Sequence, residues 1–84
     1  MYIVYVLQSQ KDQHLYVGYT SNLRNRIATH NKGSVKSTKN RRPFVLIFAE
    51  AYISQKDALR REKYLKTTLG KRALKHMLRE TFKN

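Results

Sequence analysis

The chain contains no cysteine. That excludes a disulfide framework, a zinc site built on thiolates and a thiol nucleophile, and it fits a reducing cytoplasm. No run approaches the ~18 apolar residues of a membrane span, and the N-terminus has no basic region followed by a long apolar one. The expectation is a soluble intracellular domain with no membrane partner. Acid is scarce as well: Asp12, Glu50, Asp57, Glu62 and Glu80 are the only carboxylate side chains. Sites that hold two metal ions need several converging acidic ligands, which five scattered carboxylates do not easily supply.

Against those five acids stand 18 Lys and Arg, for a formal net charge of +13 on 84 residues. A field of that size favours polyanions, and nucleic acid is the partner it fits best, DNA ahead of RNA. The length allows one domain, residues 1–84, burying only ~60–65% of the surface its unfolded chain exposes. Its stability rests on a single core of Val, Ile, Leu, Tyr and Phe. Nothing in the sequence sets the oligomeric state.

Residues 2–7, Tyr-Ile-Val-Tyr-Val-Leu, are apolar at every position, as in a strand covered on both sides. The run Tyr16-Val17-Gly18-Tyr19-Thr20 is aromatic and β-branched and favours a second strand. The polar loop Gln8–His14 between them predicts an antiparallel hairpin. Placing Tyr5 opposite Tyr16 sets Ile3 against Gly18 and Leu7 against His14, with both tyrosines on one face. Gly18, lacking a Cβ, lets another group come close. Ser21 or Asn22 caps a helix over about Asn22 to Asn31, whose buried stripe is Leu23 and Ile27, and Gly33 stops it. Arg26 and His30, four apart, project along the edge of that stripe.

Five basic residues and no acid fall between Lys32 and Arg42: Lys32, Lys36, Lys39, Arg41 and Arg42. With Ser34, Ser37, Thr38 and Asn40 among them, the segment reads as an exposed loop suited to phosphate contacts. Pro43 introduces Phe44–Ala49, the expected central strand. Gln55–Lys66, capped by Ser54, is a second helix with Ala58, Leu59, Leu65 and Leu69 inward and Glu62 in the same stripe. Thr67–Gly70 interrupts the pattern. A third helix over about Lys71–Glu80 buries Ala73, Leu74, Met77 and Leu78 and turns Lys71, Arg72, Lys75 and Arg79 outward. The order β-β-α-β-α-α, a small three-stranded antiparallel sheet covered by helices, is α+β.

Taken singly, the candidate site residues have ordinary explanations. Tyrosines in a small sheet are commonly core, an arginine on a first helix is commonly at the surface, and a histidine in a last turn offsets the helix dipole. Glu62 in an apolar stripe requires a cation, either Arg60, Lys66 or Arg26 in an ion pair or a single Mg²⁺ that keeps most of its waters. If the helices pack on the same side of the sheet, Tyr5, Tyr16, Arg26, His30 and Glu62 can all face one surface. Together they would offer a proton acceptor, a phosphate clamp and a metal ligand.

In that combination the chain resembles the GIY-YIG nuclease superfamily, in particular its small stand-alone bacterial members. Ile3-Val4-Tyr5 stands for the first half of the signature and Tyr16-Val17-Gly18 for the second. Arg26 follows Tyr16 at a spacing of ten and His30 follows Arg26 at a spacing of four, with a glutamate on a helix after the third strand. Ile3 replaces the glycine of the first motif, and the polar residue that many relatives carry near the final helix has no assigned counterpart. The resemblance implies a metal-dependent phosphodiester hydrolase. By it, Tyr5 and Tyr16 line the site and help activate the attacking water, Arg26 stabilises the phosphoryl transition state, His30 positions or protonates groups at the scissile phosphate, and Glu62 binds Mg²⁺ or Mn²⁺. Lys32, Lys36, Lys39, Arg41, Arg42, Lys71, Arg72 and Lys75 are the expected nucleic-acid contacts. Two alternatives remain open: a non-catalytic nucleic-acid-binding module, and a nuclease directed at RNA.

Overall fold

A computed structural model describes residues 1–83. Three antiparallel strands, β1 (Tyr2–Ser9), β2 (Leu15–Thr20) and β3 (Phe44–Tyr52), form one sheet in the order β2-β1-β3. Three helices, α1 (Leu23–Lys32), α2 (Gln55–Leu65) and α3 (Thr68–Met77), cover it, and a short 3₁₀ turn spans Lys39–Arg41. The fold is α+β in the expected order.

The central strand is β1, not the strand that begins at Phe44. In β1, Val4, Tyr5, Val6 and Leu7 are all fully buried, whereas Val45 and Leu46 of β3 are exposed. An apolar run therefore did not by itself mark the strand that is paired on both edges. The hairpin register also differs by two residues from the expected one: Tyr5 lies opposite Gly18, Leu7 opposite Tyr16 and Ile3 opposite Thr20. Because strand side chains alternate with period two, a slip of two keeps Tyr5 and Tyr16 on the same face. Its consequence is local, since it puts the one glycine of the sheet directly beside Tyr5. A Cβ built on Gly18 would run into the Tyr5 ring and hydroxyl, so the glycine is the space into which the phenol is packed. Ile3, in place of the family's glycine, packs against the cluster around Tyr5.

The helices do not pack on one side. Leu23 and Ile27 of α1 join Tyr5, Leu7, Tyr16 and Phe44 on one face. Ala58 and Leu65 of α2 and Leu74 of α3 join Val4, Val6 and Val17 on the other. Asn22 caps α1 through its side chain, and the Gly33 N–H closes the helix on the carbonyls of Thr29 and His30. Ser54 caps α2 as expected. Thr67 caps α3, which opens at Thr68, three residues before the predicted start, its hydroxyl accepting from the Gly70 N–H at 3.0 Å. Gly70 is tolerated in that first turn because it lies against the Tyr64 carbonyl and the Leu65 backbone, where a Cβ would not fit. With Ala58 and Leu65, seven apart, facing the sheet, Leu59 is turned outward, and Leu69 and Met77 are exposed as well.

Two polar links tie the layers together. Arg61 of α2 donates from Nε and Nη2 to both oxygens of Glu50 on β3 (2.8 and 3.2 Å), and the Tyr52 hydroxyl donates to the same carboxylate. The Asn31 side chain exchanges two hydrogen bonds with the Phe44 backbone, fastening the end of α1 to the start of β3.

The Gly18–Tyr5 contact gives a direct test of the register. Gly18→Ala forces the phenol out of place, and overpacking of this kind costs about 1–3 kcal/mol. Chemical denaturation should show a loss of that order. Unchanged stability would mean that the Tyr5 ring does not lie over position 18.

Candidate active site

The site is built around the Tyr5 hydroxyl. The ring comes from the middle of the central strand and is fully buried, with Gly18 beneath it. Its oxygen lies 3.0 Å from Nε2 of His30, which α1 delivers from its last turn and which is itself fully buried. Tyr16, from the neighbouring strand, presents its ring edge-on to the same imidazole with centroids 4.7 Å apart. The Tyr5 and Tyr16 rings are 6.4 Å apart. On its other nitrogen, Nδ1, His30 meets the Thr38 hydroxyl at 2.9 Å.

Arg26, one helical turn before His30, places its guanidinium beside the two phenols. The Tyr5 hydroxyl, with Tyr16 adding to it, holds the guanidinium still more firmly in its charged form. Burial raises the Tyr5 pKa and Arg26 works against that shift, while Tyr16 and the carboxylate of Glu62 raise it further. The charge of Glu62, the smallest of these influences, reaches Tyr5 although α2 covers the opposite face of the sheet. Its own nearest cation is Lys66, at 3.2 Å, with Glu62 largely covered and Lys66 more than half exposed. Of the three ion-pair partners that the sequence allows, Lys66 is the one observed. An i,i+4 pair of this kind contributes only about 0.3–0.5 kcal/mol, too little to require a carboxylate at this position.

Among the described residues no group of three or more His, Cys, Asp or Glu side chains gathers that could hold a metal. The carboxylate whose charge reaches Tyr5 is Glu62, a hard oxygen donor. A single carboxylate fits a divalent cation such as Mg²⁺, which takes few protein ligands and keeps its waters; it does not fit a zinc site.

The basic segment is more ordered than an exposed loop. Thr38 is fully buried. The Ser9 hydroxyl donates to the Arg41 carbonyl and accepts from the Lys11 and Asp12 N–H groups, so the β1–β2 turn and the basic segment share one clasp. Arg41 is committed to that clasp, since its Nε donates to Asp12 and its guanidinium lies over the Phe44 ring. Arg42 is exposed, with its Nε donating to the Lys39 carbonyl. Lys32, Lys36 and Lys39 are exposed, as are Lys71, Arg72 and Lys75 of α3. The two basic regions meet at the hairpin turn, where Arg41, Lys71 and Lys75 line a shared cavity of about 330 Å³ with Gln13 and His14. Sequence reasoning passed over Thr38, which looks like one more small polar residue in a basic loop. Only its burial distinguishes it.

The GIY-YIG catalytic domain matches residues 1–76 of the chain. The chain therefore belongs to the GIY-YIG family, a family of nucleases. Within it, the chain is similar to the UPF0213 protein SH2523 of Staphylococcus haemolyticus, 48% identical over 73 residues that make up 86% of this chain and 88% of the relative. It is also similar to the UPF0213 protein YazA of Bacillus subtilis, 44% identical over 63 residues, 74% of this chain and 64% of that one. The solution NMR structure of the UPF0213 protein BH0048 from Bacillus halodurans matches 92% of this chain and 85% of its own, with 33% identity and a TM-score of 0.58.

Burial, with Arg26 nearby, holds the His30 pKa below the ordinary imidazole value, so the ring is neutral at neutral pH. The unfolded chain takes up a proton near about pH 6.5 that the folded chain refuses. The stability contributed by a neutral His30 is therefore complete above that value and is lost as pH falls through it toward the folded pKa. The melting temperature should drop between about pH 7.5 and about pH 5.5, and His30→Gln should flatten that dependence. Parallel curves for the two proteins would mean that His30 is not held neutral by the fold.

Proposed function

We propose that the protein is a divalent-metal-dependent endonuclease that hydrolyses phosphodiester bonds in DNA, selecting substrates by structure more than by sequence. The observation that carries this reading is the convergence of Arg26, Tyr16, His30 and the Glu62 charge on the Tyr5 hydroxyl. A pure scaffold has no use for a cation, a second phenol and a neutral imidazole around one buried phenol oxygen. Such a grouping supplies what phosphodiester hydrolysis requires: a proton acceptor for the attacking water and a fixed positive charge for the phosphoryl oxygens.

In this reading the phenol oxygens of Tyr5 and Tyr16 orient the water and receive its proton. Neutral His30, against the Tyr5 hydroxyl, keeps that oxygen able to accept. Arg26 offers a planar fork that can hold two phosphoryl oxygens as negative charge builds on them. Glu62 would hold Mg²⁺ or Mn²⁺, which supplies Lewis-acid stabilisation of phosphoryl charge when bound. Lys32, Lys36, Lys39 and Arg42, with Lys71, Arg72 and Lys75, contact the backbone of the nucleic acid, while Arg41 serves mainly to shape the loop. A lone module of this size has little surface for reading base edges in the grooves, which favours tolerance of sequence.

The ion pair between Glu62 and Lys66 favours a second reading, a non-catalytic nucleic-acid-binding module in which Glu62 is only half of a surface pair. One experiment separates the two. The protein is incubated with duplex, branched and single-stranded DNA and with RNA, in Mg²⁺, Mn²⁺ or EDTA, beside Glu62→Gln and Arg26→Ala. The wild type should cut in metal and not in EDTA. Glu62→Gln should stay folded, bind DNA at least as tightly and cut nothing. Arg26→Ala should lose ~10²-fold or more in rate with little change in affinity. A folded Glu62→Gln protein that cuts at the wild-type rate overturns the metal assignment, and a wild type inert on every substrate hands the chain to the binding-module reading.

A further inference from the structure

His30 sits between two hydroxyls, and its two ring nitrogens cannot both donate when the ring is neutral. At one end, Oγ1 of Thr38 lies 2.9 Å from Nδ1 and 3.4 Å from the Val35 carbonyl oxygen, which can only accept. At the other end, the Tyr5 oxygen faces Nε2 at 3.0 Å and lies beside Arg26, whose side chain can only donate. One order of protons satisfies every group. The Thr38 hydroxyl donates to Val35, His30 Nδ1–H donates to Thr38, and the Tyr5 hydroxyl donates to His30 Nε2. In the reverse order Thr38 donates to Nδ1, Nε2–H donates to the Tyr5 oxygen, and the Tyr5 proton loses His30 as its acceptor.

We infer that Thr38 is a positioning residue that fixes the tautomer of His30 and so sets the direction in which a proton leaves Tyr5. This rests on the hydrolase reading above for its catalytic consequence. As the attacking water gives a proton to the Tyr5 oxygen, the O–H bond that Tyr5 already carries breaks toward His30 Nε2. Tyr5 ends as a neutral phenol, His30 becomes an imidazolium that still donates from Nδ1 to Thr38, and the hydroxide bonds to phosphorus as the bond to the leaving sugar oxygen breaks, that oxygen taking its proton from solvent. The same threonine lies in the basic segment Lys32–Arg42 and is buried along with His30. The segment expected to hold the nucleic-acid backbone therefore also orders the protons at the site.

The test is the ¹⁵N spectrum of His30 in the full chain, read for wild type, Thr38→Val and Thr38→Ser. The wild type should show a neutral ring protonated on Nδ1 alone. Thr38→Ser keeps a hydroxyl and should keep that tautomer, whereas Thr38→Val, close in shape but without a hydroxyl, should lose it or mix the two. A wild-type ring protonated on Nε2, or an unchanged tautomer in folded Thr38→Val, overturns the inference. If Thr38→Val does not fold, the wild-type spectrum still decides. On a substrate that the wild type cuts, Thr38→Val should lower kcat roughly 10–100-fold, the range found when the outer hydrogen-bond partner of a metal-bound histidine is removed. KM should stay unchanged and Thr38→Ser should restore kcat. Equal kcat in Thr38→Val and wild type contradicts the role. A wild type that cuts nothing defeats the hydrolase reading while leaving the tautomer measured.

Discussion

The packing of one phenol against one glycine is the constraint on which the rest of this structure depends. Tyr5 occupies the middle of the central strand, where every side chain is buried, and its ring lies where the side chain of any residue but glycine at position 18 would be. That contact holds the register of the hairpin and turns the hydroxyl toward the last turn of α1. The imidazole it meets is equally buried and is held from behind by Thr38. A rigid apolar sheet thus presents a polar atom whose partners are fixed by packing, which is how preorganised sites keep their geometry.

Electrostatics completes what packing begins. In a chain carrying +13, a carboxylate is the unusual group, and Glu62 is the one whose charge reaches Tyr5. The others have structural duties: Glu50 receives Arg61, Asp12 receives Arg41, and Asp57 and Glu80 sit in exposed pairs. Arg26 opposes the effect of burial at Tyr5 and deepens it at His30, so one guanidinium favours ionisation of the phenol and disfavours it in the imidazole. The net charge of +13 adds a field that favours polyanions.

Much of this was legible in the sequence because it depends on periodicity. Period two put Tyr5 and Tyr16 on one face even though the register was two residues off, and period 3.6 put Arg26 and His30 side by side. Helix caps at Asn22 and Ser54 announced themselves by residue type. Less legible was anything decided by long-range packing. Phe44–Ala49 is as apolar as β1, and only pairing on both edges makes β1 central. The opening of α3 was hidden because Gly70 looks like a break until its close approach to Tyr64 is seen. Thr38 carried no signal at all, since its importance lies in being buried within a segment whose composition announces solvent.

The central claim is that the Tyr5 hydroxyl is the working atom of this site, and Tyr5→Phe removes that atom while keeping the ring that packs over Gly18. The most direct measurement is the single-turnover cleavage rate of Tyr5→Phe beside its melting temperature and DNA affinity. The account predicts a folded protein that binds as the wild type does and cuts at least ~10²-fold more slowly. A folded Tyr5→Phe protein that cuts at the wild-type rate would contradict it.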